Sequence, residues 1–196
     1  MSFENSKLSI ESKGLKFFFE AHLSQAVSRT NIEVSPLALD YVSSVLAQFH
    51  ETAKLFVQSG VRLPVLSDLL AKALEADLYR RIVLLRQLGD TSLMVSGFFP
   101  EAVSKRTLNL SYFYEMGGIA YSHLSGLTDS QNIYDELSES FVNLARLITE
   151  VSNHFKLDQL SIHELLELYA QSGSEVALDR LKRAGIVPLK TSGNDF

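Results

Sequence analysis

The chain has 196 residues, 46% of them hydrophobic, a formal net charge of −5 and no cysteine. That length can bury a sizeable core without disulfides or a structural metal, and the lack of thiols excludes disulfide scaffolds, thiolate metal sites and cysteine nucleophiles. With 18 basic against 23 acidic residues there is no global field for nucleic acid or an anionic membrane, so neither is an expected partner.

The opening MSFENSKLSIESKG is polar and carries both charge signs, unlike a signal peptide, so residues 1–13 are expected to be flexible and the compartment cytoplasmic. No apolar run approaches the ~20 residues of a membrane span. From Leu15 to Arg29 the residues Leu15, Phe18, Phe19, His22, Leu23, Ala26 and Val27 recur at three- and four-residue spacing, which predicts a first helix. Ser35-Pro36 opens a second, because serine caps free N–H groups and proline suits the first turn; it is expected to reach Gln58 and stop before Gly60. Leu63-Pro64 opens a third, running through LSDLLAKALEADLYRRIVLLRQL, with Gly89-Asp90 as a corner into the next helix.

TSLMVSGFF has strand-forming residue types but no strand partner, so a short buried helix is expected. Pro100-Glu101 starts another turn, Ser104 to Asn109 reads as connector, and LSYFYEMGGIAYSHLS resumes helical periodicity until Gly126. Asp129-Ser130 caps a long helix whose stripe is Ile133, Tyr134, Leu137, Phe141, Leu144, Leu147, Ile148 and Val151. Two shorter helices follow, SIHELLELYAQ and SEVALDRLKRA, each opened by serine and followed by glycine, at Gly173 and Gly185. The expected organisation is one all-α domain over 14–188, a bundle of about seven to eight helices, with 161–186 as a closing hairpin and 189–196 as a frayed tail.

Few constellations of chemistry stand out. The five histidines do not match a ferritin-like metal centre, since no Glu-x-x-His occurs and Glu150 with His154 is a single i, i+4 pair. His50, His154 and His163 are expected at helix surfaces or ends, and His22 and His123 partly buried. There is no Gly-x-Ser-x-Gly elbow, dinucleotide turn or phosphate loop. Arg180, Lys182 and Arg183 could suggest a DNA-reading helix, but Glu164, Glu167, Glu175 and Asp179 would face the phosphates, so a solvated mixed-charge face is expected.

The segment from Leu88 to Gly126 holds five of the ten glycines among aromatic residues. Gly97, Gly117 and Gly118 sit in helical sequence, where each costs ~1 kcal/mol relative to alanine. Either a neighbouring helix crosses at backbone distance or a flat apolar ligand lies on the bare backbone. Packing is the first expectation. For the ligand alternative the candidate residues are His22, Asp90, Gly97, Tyr112, Glu115, Gly117, Gly118, Tyr121 and His123, and a void lined by Tyr112, Glu115, Tyr121 and His123 would favour it. No catalytic or metal-ligating residue is assigned, and no cofactor is expected.

LGDTSLMVSGFFPE at 88–101, YEMGGIAYSHL at 114–124 and LLELYAQSGSEVALDRLKRAGIVP at 165–188 resemble a family of uncharacterised bacterial helical proteins, which implies an all-helical chain and no particular activity. A second resemblance is to haem-oxygenase-type helical folds, in which a first-helix histidine holds haem beneath a glycine-rich helix. It implies His22 as iron ligand and Leu88-Gly89-Asp90 with Ser92 as the glycine-rich signature, although Leu93, Met94 and Val95 intervene before Gly97. The leading expectation is a non-catalytic protein acting through protein contacts, with an unidentified partner or as a homodimer. The alternative is a binder of haem or another flat apolar ligand, with oxidative chemistry as its extension.

Overall fold

The computed structural model describes residues 2–59, 65–104, 109–158, 162–172 and 175–186. They form an all-helical, multi-helix fold with no strand among the described residues. In chain order the helices are α1 (Ser2–Thr30), α2 (Pro36–Ser59), α3 (Leu66–Glu75), α4 (Leu78–Phe98), α5 (Pro100–Ser104), α6 (Leu110–Ser125), α7 (Gln131–Glu139), α8 (Phe141–Asp158), α9 (Ile162–Ser172) and α10 (Glu175–Arg183). No described helix is long and apolar enough to cross a membrane. The expected start at Leu63-Pro64, the connector residues 105–108, the stops at Gly60 and Gly173, the cap at Ser161 and the tail 189–196 lie outside the described residues.

The chain divides into two compact units, Met1–Val151 and Ser152–Phe196. In the first, α4 is central: every residue from Leu88 to Gly97 is buried, and its most extensive partner is α6. The apolar stripes land in this core, with Leu23 and Ala26 from α1, Val42 and Leu46 from α2, and Leu144, Leu147 and Ile148 from α8 all buried. In the second unit α9 and α10 pack together through Leu165, Ala177 and Leu181, joined by Leu166, Tyr169 and Ile186. Gly185, at φ +77°, ends α10 in the left-handed conformation that glycine reaches without a steric penalty, and Ile186 N–H donates back to the Leu181 carbonyl at 2.8 Å.

Ser35 caps α2 as its sequence suggests: its Oγ accepts the Ala38 N–H at 3.1 Å. In a local capping box a glutamate three residues on would take the serine's own backbone N–H. Ala38 stands there, and Glu136 of α7 does that work from across the fold, its Oε1 accepting the Ser35 N–H at 2.7 Å and its Oε2 the hydroxyl at 2.5 Å.

Several expectations about the helices need correction. The segment from 66 to 88 is not one helix. Ala76 is extended, and the Asp77 carboxylate accepts the Arg80 N–H at 3.0 Å to start α4 afresh. Arg81 donates to the carbonyls of Ala73, Leu74 and Ala76, satisfying the loose end of α3 and fixing the corner there. Gly89-Asp90, conversely, is no corner. It lies inside α4, where the missing side chain of Gly89 serves packing and not a turn. The stripe from Ile133 to Val151 is broken at Ser140, whose N–H bonds to the Glu136 and Ser138 carbonyls, and the break lets the Phe141 ring reach the Gly117 backbone. The capping role expected of the Ser130 side chain is also not realised. TSLMVSGFF forms the last turns of α4 and is not a separate helix.

Candidate functional site

The densest polar arrangement in the described core is built on Asp90. It lies 9% exposed on α4, and its Oδ1 accepts the hydroxyls of Tyr41 from α2 and Tyr121 from α6, both at 2.8 Å. Tyr134 of α7 completes the cluster: its ring stacks on Tyr121 with centroids 6.1 Å apart and meets Tyr41 edge-on at 5.9 Å. Its hydroxyl accepts Nε of Arg86, one turn before Asp90, at 3.1 Å. Three helices therefore meet at one carboxylate, and α7 joins them through the Tyr134 ring and its bond to Arg86. The network runs from a half-exposed guanidinium at the surface to a buried acid.

Burial pushes the Asp90 carboxyl up to about 6, against the opposing pull of the Tyr41 and Tyr121 hydroxyls and the Arg86 charge. Burial and the Asp90 charge raise both tyrosine hydroxyls well above the usual phenol range, so they stay protonated and act as donors. This arrangement holds a proton-accepting carboxylate near neutrality and contains no activated nucleophile. Its clearest physical effect is to fix the mutual positions of α2, α4, α6 and α7.

The glycines flank this cluster at helix crossings. A Cβ on Gly89 would lie 2.6 Å from the Tyr121 ring, and one on Gly97 2.7 Å from Ile148 Cβ and 3.1 Å from the Ala145 carbonyl. A Cβ on Gly117 would overlap the Phe141 ring and touch Ser92. The bare backbones at all three are thus covered by the chain's own side chains. Gly118 differs, its nearest such neighbour being the Ser138 carbonyl at 3.8 Å. It lines a shallow surface depression of about 350 Å³ with Ile119, Ser122, His123 and Ser138.

The candidates from sequence are thus distributed and do not converge. Asp90 and Tyr121 are bonded to each other; Gly97 and Gly117 sit at separate crossings; Gly118 and His123 share the depression. Tyr112 accepts the Ser67 N–H at 3.1 Å, near the start of α3, and Glu115 is exposed. Tyr121 is fully buried while His123 and Glu115 are exposed, so these residues do not line the common void that would have favoured the ligand alternative. His22, on α1, packs edge-on to Phe18 at 4.5 Å, and burial followed by the Arg29 charge lowers its pKa. Two further histidines differ from expectation: His154 is buried and His123 is not. Among the described residues no three His, Asp or Glu side chains gather as a metal site.

Tyr41, Arg86 and Tyr134 were not singled out by sequence. One signal pointed toward them: an acid in the small and apolar run from Leu88 to Gly97 must find donors if the run is buried, and tyrosines on neighbouring stripes can supply them. The outer part of α4 is the other unanticipated feature. Leu74, Leu78, Tyr79 and Val83 are four of the eleven large exposed hydrophobic residues described, and all flank the α3–α4 corner. Comparison of the chain with protein-family models, with curated proteins and with solved structures returned no match.

Proposed function

We propose that the chain is a non-catalytic protein-contact module that binds its partner through the α3–α4 corner. The observation that carries this reading is the concentration of exposed apolar side chains there, with Tyr79 80%, Leu78 59% and Val83 48% exposed. Exposed apolar side chains concentrated in one stretch of the fold mark an interaction site more often than singly scattered ones do. The cytoplasmic setting expected from sequence belongs to the same reading.

The alternative, a flat apolar ligand on the glycine-bearing helices, has less support. Tyr121, Ile148 and Phe141 occupy the space beside Gly89, Gly97 and Gly117 that such a ligand would need. The absorption spectrum after haem addition separates the two readings, because a Soret band abolished by His22→Ala would favour the ligand.

The contact reading is tested by affinity purification of the tagged chain beside a Tyr79→Asp/Val83→Asp variant, with quantitative mass spectrometry. Proteins retained by the wild type should fall at least tenfold with the variant while its helical content and thermal midpoint stay unchanged. Retention indifferent to the two substitutions would overturn the assignment of the corner.

A further inference from the structure

The geometry points to a particular occupant for this corner: an amphipathic helix whose apolar face is edged by carboxylates, laid along the outer half of α4. The inference rests on the protein-contact reading and adds the partner's chemistry. Tyr79, Val83, Arg86 and Asp90 are spaced i, i+4, i+7 and i+11, so they form one ridge along α4. At its inner end the ridge is held by neighbouring helices: Tyr41 and Tyr121 donate to the buried Asp90, and Tyr134 accepts from Arg86, which stays exposed. At its outer end Tyr79 and Val83 are exposed. The ridge thus runs out of a helix-packed core with its side-chain spacing unchanged, and another helix is the element that fits such a surface.

Charge selects the helix. Between Leu78 and Gly89 the charged residues are Arg80, Arg81 and Arg86, with no acid. Arg81 is committed to the carbonyls of α3. Arg80 and Arg86 enter no ion pair among the described residues; Arg86 uses Nε for Tyr134 and its charge reaches Asp90, and among the described residues its terminal amino groups donate to no acceptor. The acids nearest in sequence are already occupied: Asp77 caps α4 and Asp90 holds two hydroxyls. A guanidinium anchored at one nitrogen is a preorganised receptor for a carboxylate. Tyrosine and arginine are also the residue types that most often dominate interface energetics.

A phage-displayed library of amphipathic helices, randomised at the two edges of the apolar face and panned on the full chain, tests the proposal. Enriched sequences should carry Asp or Glu at those edges. A synthetic enriched peptide should bind at least tenfold more weakly to Val83→Asp and to Arg86→Glu, both confirmed folded by circular dichroism. Exchanging the peptide's Glu for Lys should restore binding to Arg86→Glu. Enrichment of basic or neutral edges, or peptide binding that ignores Val83→Asp, would overturn the proposal. An empty selection would also overturn it; if the Tyr79→Asp/Val83→Asp variant still loses its retained proteins, the protein-contact reading stands without it. A self-associated form that Tyr79→Asp abolishes, with no peptide enriched, would assign the ridge to a second copy and overturn the acidic-helix partner.

Discussion

The two halves of α4 differ in side-chain size and burial, the inner half burying small and polar residues alongside Leu88, Leu93, Met94 and Val95. Its outer half exposes Leu78, Tyr79 and Val83, while its inner half buries Gly89, Asp90, Thr91, Ser92, Ser96 and Gly97. Side-chain size and hydrogen-bond partners decide which half goes inside. Small residues let α6 and α8 approach the α4 backbone closely, and the polar atoms they bring are mostly satisfied, Ser96 by the Ser92 carbonyl and Asp90 by two tyrosines. The outer half presents larger side chains that nothing in the described chain covers, as a surface awaiting a partner would. If this contrast is correct, substitutions in the inner half should change stability and those in the outer half should change binding.

The largest effect is expected where ring packing and hydrogen bonding coincide. Tyr121→Ala removes a fully buried ring wedged beside Gly89 and deprives Asp90 of one of its two hydroxyl donors. A loss of about 3–5 kcal/mol is expected in urea denaturation, and a loss below 1 kcal/mol would show that the inner half is not closely packed. Asp90→Asn should act in the opposite sense. The Asp90 carboxyl moves from 3.8 to about 6 on folding, so the native state binds more protons than the unfolded chain across that window. Its contribution to stability is therefore complete below about pH 4 and is lost as pH rises through 6. At 1.36 kcal/mol per pH unit the loss is on the order of 3 kcal/mol. Asparagine keeps an acceptor for both hydroxyls without the charge, so the variant should match the wild type near pH 4 and exceed it increasingly up to pH 7. A constant difference across that range would rule out the buried charge as the cause.

Closer to the backbone, Gly97→Ala places a methyl group against Ile148 Cβ and the Ala145 carbonyl. It should cost about 1–2 kcal/mol net of alanine's helix preference, whereas Gly118→Ala, with no such neighbour nearer than 3.8 Å, should gain up to ~1 kcal/mol. Equal shifts at the two positions would refute the distinction between crossing and open glycines. Ser92→Ala is the subtler test of the same interface. Ser92 Oγ is buried with no hydrogen-bond partner among the described residues, so removing it should stabilise the fold by about 1 kcal/mol, and a loss of that size would mean the hydroxyl is satisfied after all.

The apolar stripes of α1, α2 and α8 were legible in sequence because each rests on a local period of three and four residues, and Ser35-Pro36 because capping is local. The break at Ser140 was not legible because apolar spacing continues across it and Phe141 over Gly117 is a tertiary contact, whereas the break at Ala76-Asp77 rests on local interactions, the Asp77 cap and Arg81 on three nearby carbonyls, that the continuing apolar spacing masked. Asp90 and Tyr121 were singled out as site candidates, yet the acid's second donor lies 49 residues away on α2 and the guanidinium's anchor 48 residues away on α7. No spacing rule links positions that far apart. The glycine cluster left two options open in sequence, helix crossing or ligand surface; side chains of the fold fill the space beside Gly89, Gly97 and Gly117, while Gly118 stays open.

The smallest stability effect is expected in the outer half, and it is the most discriminating. Tyr79→Ser with Val83→Ser removes two side chains that are 80% and 48% exposed, so unfolding should shift by no more than about 0.5 kcal/mol. The same pair should abolish capture of partner proteins, because an interface draws its free energy from a few desolvated aromatic and aliphatic anchors. A stability loss of several kcal/mol would show instead that Tyr79 and Val83 support the fold, and the exposed ridge would then be part of the chain's own packing. Unchanged stability with unchanged capture would leave the apolar surface real but idle. Only intact folding combined with lost binding matches a helix whose inner half builds the core and whose outer half is held out to a partner.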